Sequence, residues 1–367
     1  MNLFRAAHGQ GADWHAACQA CLEQLAPLPP GANLGFVYAS DPLAEALDLI
    51  VAHLRKTTSV ADWVGTGGAG VCATGREFFD RGALVVLVAA LPAGSYRLFD
   101  DLVPDNGAFE VDAAASAVGF GVVHGDPRQR STPELLARLS ERSGAFLVGG
   151  LSSAGNPMQI AGQPTESALS GVLIDPQVPV IAGLSQGCVP IGPVHEVTGC
   201  GGAWVAGLDG RPALEVLKQE IGDVLARQLD RVGGDIHAAL PVAGSDRADY
   251  VVRNLLGVDL ERRSVALGQE LREGDRLLFV KRDGGTAQAD LRRMLDDLRT
   301  RADGRPIRGA LYHSCIARGP NTFGPDSAKL RAIHEVLGPV PLAGFFTNGE
   351  IFWNRLYAYT GVLTLFL

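Results

Sequence analysis

The sequence predicts an α+β protein: two helix-flanked, largely antiparallel or mixed β-sheet halves related by internal duplication, with glycine-rich loops at their interface. A glycine pattern that occurs three times is the first reason. Its copies are Gly65, Gly70 and Gly82; Gly150, Gly155 and Gly171; and Gly344, Gly349 and Gly361. The first gap is five residues each time, and each copy ends on a β-branched or aliphatic run suited to a buried strand. The second reason is that helical apolar stripes alternate with such runs along the chain. The third is that helix, strand and glycine loop follow in that order before copies two and three, in ELLARLSERSGAFLVGG and KLRAIHEVLGPVPLAGF.

The helices follow from periodicity and end signals. Trp14, Leu22 and Leu25 lie on an amphipathic stretch that contains Cys18 and Cys21. Pro42 suits a first helical position, and Leu43, Leu47, Ile50 and Leu54 continue it as one stripe. Ser131-Thr-Pro-Glu134 reads as a capping box before Leu135, Leu136 and Leu139. After Asp209-Gly-Arg-Pro212, Leu214, Leu217, Ile221 and Val224 share a face; Leu291, Met294, Leu295 and Leu298 share another. A last helix starts at Asp326, runs through Leu330, Ile333 and Leu337, and stops at Gly338. Strands are expected at Leu34–Tyr38, Ala83–Ala90, Ala117–Val123, Ala145–Val148, Val178–Ala182, Leu277–Lys281, Gly309–Tyr312 and Val362–Phe366. The Gly-, Ala- and Asp-rich stretch Val232–Asp249 reads as a surface excursion. The expected division is an N-terminal helix on the core at 1–27, one domain at 28–210 and another at 211–367.

Composition narrows the function. With 47% hydrophobic residues the chain has ample material for packed cores, and 32 basic against 40 acidic residues leave no basic surface for nucleic acid. No apolar stretch approaches the ~20 residues of a membrane span. No secretory h-region opens the chain, so a cytoplasmic setting with six reduced cysteines is expected.

Three motifs invite chemistry that their context does not support. Gly65-Thr-Gly67-Gly-Ala-Gly70 matches a dinucleotide fingerprint. Val71 and Gly75 occupy the would-be helix, however, and no acidic residue stands about 20 positions on. Gly183-Leu-Ser185-Gln-Gly187 spells a nucleophile elbow, but Pro190 and Pro193 block the helix an elbow requires; the segment reads as a structural turn. A hydrolase built on Ser185 would need a histidine within hydrogen-bond reach. Cys18-Gln-Ala-Cys21 lacks a second ligand pair for zinc and reads as two buried thiols.

The stretch His313-Ser-Cys315-Ile-Ala-Arg318-Gly319 is more informative, because it leaves a strand and enters a loop where ligand groups gather. Arg318 can grip a carboxylate or phosphate, and Cys315 beside it is a candidate thiolate. Alternatively, Arg318 pairs with a structural acid such as Glu350, and Cys315 is a core residue. Thr347-Asn348-Gly349-Glu350 is the matching loop of copy three, flanked by Phe345, Phe346, Phe352 and Trp353.

On these residues the chain resembles the FIST family (F-box and intracellular signal transduction), whose domain has N- and C-terminal parts. The resemblance rests on Gly149-Gly150-Leu-Ser152, Gln186-Gly-Cys188-Val-Pro190-Ile-Gly-Pro193, and Leu208-Asp-Gly-Arg-Pro212. It continues through Val252-Arg253-Asn254, Arg282-Asp283, Cys315-Ile-Ala-Arg318-Gly319, and Leu342-Ala-Gly344 with Asn348-Gly-Glu350. Val189 departs from an arginine frequent in the family, which removes one anion contact. The resemblance implies an intracellular sensory module, not an enzyme, that binds a small polar ligand such as an amino acid in a cleft between the two domains. It would relay to a separate partner: a histidine kinase, a cyclic-dinucleotide enzyme or a chemoreceptor. A haem-based nitric oxide sensor is the alternative, with His313 and Cys188 in candidate axial positions. The expected ligand contacts are Ser152, Arg253, Arg282, Cys315, Arg318, Gly344, Asn348 and Glu350, with no metal.

Overall fold

The computed structural model describes residues 3–79, 81–102, 119–226, 234–242 and 249–367. It is a mixed α+β chain whose elements fall into two compact units, one of residues 1–186 with 288–367 and the other of residues 187–287.

The first unit holds three six-stranded sheets that share one plan. In the first, Phe4–Gln10, Ala83–Ala89 and Leu34–Ser40 pair antiparallel, and Leu34–Ser40 then pairs parallel with Asp62–Gly68. In the second, Tyr96–Leu102, Leu169–Ile174 and Phe120–Gly125 lead to a parallel Phe146–Leu151. In the third, Val180–Gln186, Thr360–Phe366 and Gly309–Cys315 lead to a parallel Leu342–Thr347. A helix joins each parallel pair, as a crossover must. These helices are Leu47–Thr58, Thr132–Ser143 and Ala328–Leu337. Each ends on a residue with positive φ (Ser59, Gly144, Gly338), which frees the chain to turn back into the sheet.

The sheets complete one another by exchanging hairpins. The hairpin after the first parallel pair, Gly70–Ala73 with Arg76–Phe79, adds to the third sheet. That of the second pair, Gln159–Ala161 with Gln163–Thr165, adds to the first sheet. That of the third, Glu350–Phe352 with Arg355–Tyr357, adds to the second. Each parallel pair therefore has its outer strand covered by chain from another sheet, which removes an exposed edge.

Glycine makes the close pairing possible. Gly65, Gly149 and Gly344 stand in register with Val37, Val123 and Tyr312. A Cβ at any of the three would fall 1.8–1.9 Å from the carbonyl oxygen of that partner. In the second copy the residue at this register is Gly149, one position before the Gly150 chosen from spacing alone.

The second unit is a barrel. Arg276–Arg282, Ile236–Pro241, Tyr250–Asp259, Ser264–Leu267, Trp204–Leu208 and His195–Gly201 pair in turn, and the last pairs back to the first. Val197, Val205, Val265, Leu267, Leu277 and Phe279 fill it, with Leu214 and Leu217 of helix Ala213–Ala226 packed on the same core. His195 ties that helix to the wall: Nδ1 lies 2.6 Å from Asp209 and Nε2 2.5 Å from Glu220. Burial alone would lower its pKa, but the hydrogen bonds and charges of the two acids outweigh it and raise the value.

Several local expectations change. The stripe from Leu43 to Leu54 is broken into Asp41–Ala44 and Leu47–Thr58 because Ala46 leaves helical geometry. Ser131 makes no side-chain cap, and Thr132 Oγ1 donates to Gln129 instead. Residues 183–186 form no turn; they continue the strand Val180–Gln186, and Gly183 is small because Met294 and Leu298 press on it. Part of the supposed excursion Val232–Asp249 is the barrel strand Ile236–Pro241, and the rest lies largely outside the described residues. The expected strand Ala117–Val123 is Phe120–Gly125, its first two residues lying outside the described set. No helix among the described residues is long and apolar enough to cross a membrane.

The exchange geometry makes a sharp prediction. Gly344→Ala forces strands Gly309–Cys315 and Leu342–Thr347 apart and should destabilise on the order of 3 kcal/mol or more in urea titrations. Gly201→Ala, at a barrel position with open space around it, should stay within about 0.5 kcal/mol of the parent.

Candidate functional site

The three glycine segments meet inside the first unit. Ala69 N–H donates to Ser153 Oγ at 2.8 Å, and Ser153 Oγ donates in turn to the carbonyl of Phe346. Leu151 and Asn348 exchange backbone bonds with Gly349 and Leu151 at 2.9 Å. Ser152 Oγ donates to Gly67 O at 2.7 Å, so this serine is buried and occupied in joining two strand ends. Asn348 presents an exposed side chain at the same junction.

Charge gathers at the ends of the parallel strands of the third sheet, where open α/β sheets hold their ligands. Arg318, just past strand Gly309–Cys315, is 1% exposed. Its Nη2 donates to Ser185 Oγ at 2.7 Å and its Nη1 to Tyr359 O at 3.4 Å. Glu350 is fully buried; it accepts from Thr347 Oγ1, from Thr360 N at 3.1 Å and from Thr360 Oγ1 at 2.7 Å. Burial raises its carboxyl to about 7, against the pull of those donors and of the Arg318 charge. Cys315 adjoins both, but burial and the Glu350 charge push its thiol to about 12, so it is no thiolate. Arg318 thus takes a serine as its direct partner, and Glu350 acts on it through charge alone.

Sequence reasoning missed Lys329. It sits in the first turn of helix Ala328–Leu337, 1% exposed. Its Nζ donates to Ser314 Oγ at 3.0 Å and to Arg318 O at 2.7 Å, stands 3.8 Å from Glu77, and lies 4.2 Å from the Phe346 ring centre. Burial lowers its ammonium to about 8; the Arg318 charge adds to this and Glu77 opposes it. An amphipathic pattern assigns such a lysine to solvent, and only the tertiary fold reveals otherwise. The expected contacts Arg253 and Arg282 lie in the barrel unit. Arg282 reaches Asp235 at 3.0 Å; Arg253 donates to Gln269 at 2.7 Å, and burial lowers its pKa to about 10.

A second polar group lies where the three sheets converge. Tyr38, His124 and His313 occupy matching positions on Leu34–Ser40, Phe120–Gly125 and Gly309–Cys315, one residue after the register of Gly65, Gly149 and Gly344. Tyr38 Oη lies 3.1 Å from His124 Nε2 and 3.3 Å from His313 Nε2. All three are fully buried, and both Nδ1 atoms lack partners among the described residues. Burial lowers His124 to about 3 and holds His313 well below its ordinary value, with the neighbouring imidazole adding to the effect.

His313 therefore stands in a strand and not in a loop, with its ring between Phe345 at 5.5 Å and Tyr38 at 6.0 Å. That packing leaves no approach for a porphyrin, and Cys188 is buried in a barrel-unit strand; neither fits a haem. Cys18 and Cys21 are buried in helix Trp14–Leu25, and burial raises Cys18 to about 12. The Gly65–Gly70 stretch passes from strand to strand with no helix to receive a pyrophosphate. Among the described residues no group of three His, Cys, Asp or Glu can hold a metal ion.

The profile of the FIST N domain matches residues 33–211, and that of the FIST C domain matches residues 213–353. The chain belongs to the FIST family. FIST domains are in general sensor domains of signal transduction. An uncharacterized protein of Mycobacterium tuberculosis (strain CDC 1551 / Oshkosh) is 28% identical over 345 residues, covering 88% of each chain. One of Mycobacterium bovis (strain ATCC BAA-935 / AF2122/97) is 34% identical over 198 residues, covering 52% of this chain and 50% of its own.

The buried imidazoles of this FIST protein dictate a pH dependence. The unfolded chain protonates histidine near 6.5, whereas the folded chain resists until about 3 at His124. The stability contributed by these two imidazoles is therefore full above pH 6.5 and is lost as pH drops below it, while Glu350, its carboxyl raised to about 7, takes up its proton first in the folded chain and offsets part of the loss. Between pH 7 and 5 each imidazole should remove about 2 kcal/mol. Urea unfolding at the two pH values measures the loss, which should be about 2 kcal/mol smaller in His124→Gln than in the parent.

Proposed function

We propose that this FIST protein senses a small zwitterionic ligand, an amino acid being the simplest, at the strand ends of the third sheet. The carrying observation is the buried pair of unlike groups there: Arg318, whose Nε has no partner among the described residues, and Glu350, whose carboxyl titrates at about 7. An arginine with a spare donor suits a carboxylate, and a buried carboxylate suits an ammonium. Cys315 and Gly344 shape the same end of the sheet, with Ser152 and Asn348 at the adjoining junction. Arg253 and Arg282 are proposed separately as anion contacts of the barrel unit.

The ordering energy of such a ligand passes to a partner in the cytoplasm; a histidine kinase, a cyclic-dinucleotide enzyme or a chemoreceptor fits the sensory role of the family. The shared plan of the three sheets supports an origin by internal duplication of a strand–helix–strand–hairpin unit. The N-terminal part 28–210 and the C-terminal part 211–367 would then both contribute chain to that core.

A thermal-shift screen over amino acids and organic acids tests the reading. A binder at 100 times its Kd should stabilise by about 2.7 kcal/mol. Arg318→Lys, which keeps the charge but loses the planar fork, should abolish the shift. A ligand that shifts both proteins equally refutes the site.

A further inference from the structure

Beside Arg318, the third sheet and its helix carry a serine and a lysine that amino-acid sensing does not use. Ser185 and Ser314 both stand in register with Gly361, one on either side, and Ser314 is also in register with Phe346. Two residues earlier, Tyr312 projects on the same face, its hydroxyl 2.6 Å from where a Gly361 Cβ would be. The two serines thus flank a glycine floor beneath the Tyr312 hydroxyl. That hydroxyl faces both the Ser314 and the Arg318 side chains, and Arg318 Nε, also buried, lacks a hydrogen-bond partner among the described residues. Lys329 reaches this row from its helix and holds Ser314 Oγ at 3.0 Å, with its amine fixed by Arg318 O at 2.7 Å.

We propose that Ser314 and Lys329 form a serine–lysine acyl-transfer dyad, directed at small amides or esters, with Arg318 as the oxyanion donor. A nucleophile within 3.2 Å of its base, a base oriented by a third group, and a free charged donor beside them are the elements such chemistry requires. Neutral Lys329 accepts the Ser314 proton as Oγ bonds to the carbonyl carbon, and the π pair moves to the carbonyl oxygen beside Arg318. The adduct collapses by breaking the bond to nitrogen or alkoxide, and the leaving group takes the proton back from Lys329. Water, deprotonated by Lys329, then cleaves the acyl–Ser314 ester, releasing a carboxylic acid and the free serine. Ser185 stays bound to Arg318 and positions it. Burial brings Lys329 to about 8, so a usable fraction is neutral near pH 7.

Access runs through Ile316–Ser327, the segment that supplies Arg318 and Phe323. Ser314 and Lys329 are buried, so the proposal requires this segment to open for substrate. The activity shares Arg318 with the proposed sensing site but differs from it at Lys329, which serves here as the base and has no part in binding the amino acid.

The test is covalent labelling of the intact protein with a fluorophosphonate, read by whole-protein mass and peptide mapping. We expect one adduct on Ser314, none in Ser314→Ala, and labelling slowed on the order of 100-fold in Lys329→Met. Near-ultraviolet circular dichroism checks that each variant is folded. The wild-type labelling rate should also rise with pH through a midpoint near 8, a readout that needs no variant. No adduct on the folded protein, an adduct that survives Ser314→Ala, or a rate flat between about pH 6 and 9.5 would each overturn the proposal, whether or not amino acids shift the melting temperature.

Discussion

The exchange of hairpins among the three sheets is the constraint on which the first unit depends. Each parallel pair would otherwise present an unpaired edge on Asp62–Gly68, Phe146–Leu151 or Leu342–Thr347. Because each edge is covered by chain from another sheet, no sheet is complete alone, and the three strand–helix–strand units must assemble together. The exchange also fixes where the glycine loops go. A strand that leaves its own sheet to enter the next has to pass through the junction, where Ala69, Ser153 and Phe346 meet. The glycines for which a side chain is excluded most sharply, Gly65, Gly149 and Gly344, lie on the strands that enter this junction.

That junction also explains the polar groups in an otherwise apolar interior. Matching register places one residue from each central strand near the point of convergence, and here they are Tyr38, His124 and His313. One hydroxyl serving two imidazoles satisfies the three partly, and burial keeps both histidines neutral. The plan is shared but the charges are not. The strand ends of the first sheet carry Ser40, whose hydroxyl is spent on Arg81 O and Ala83 N. Those of the second carry Asp126, closed by Arg128 in a bidentate pair. Among the described residues at these strand ends, a lysine, an arginine and a glutamate sit buried together at the third.

How far the sequence revealed this follows from the range of the interactions involved. Apolar runs such as Ala83–Ala89 and Thr360–Phe366, and the left-handed stop at Gly338, are local and were legible. Arg318, Cys315 and Glu350 were legible as a group because loops after strands collect polar residues, and their charges do act on one another. Their chemistry was not: a candidate thiolate became an inert thiol once burial was known. The segment around Ser185 read as a turn because Pro190 and Pro193 exclude an elbow helix, yet it continues a strand in which Gly183 serves helix packing. Hairpin exchange and barrel closure pair residues far apart in the chain, and no periodicity encodes them. Lys329 was hidden for the same reason, since a helix pattern shows which residues are apolar, not which polar one is buried.

Burying Lys329, Arg318 and Glu350 together opposes stability unless something recovers the loss, because desolvated charges are repaid only by well-made partners. The partners here are incomplete: Arg318 Nε lacks a hydrogen bond among the described residues, and Glu77 meets Lys329 only at 3.8 Å. A fold selected for stability alone would replace such a group with apolar side chains at little loss. Its burial has a second consequence. Glu350 at about 7 and Lys329 at about 8 are both balanced near neutral pH, so an added charge nearby shifts a proton on one or the other. The same arrangement then suits recognition, where a bound ion resets the local charge, and proton transfer, where Lys329 has to change state. Both uses draw on one feature, a set of ionisable groups held out of water by the sheet, the helix Ala328–Leu337 and the segment Ile316–Ser327 that covers them.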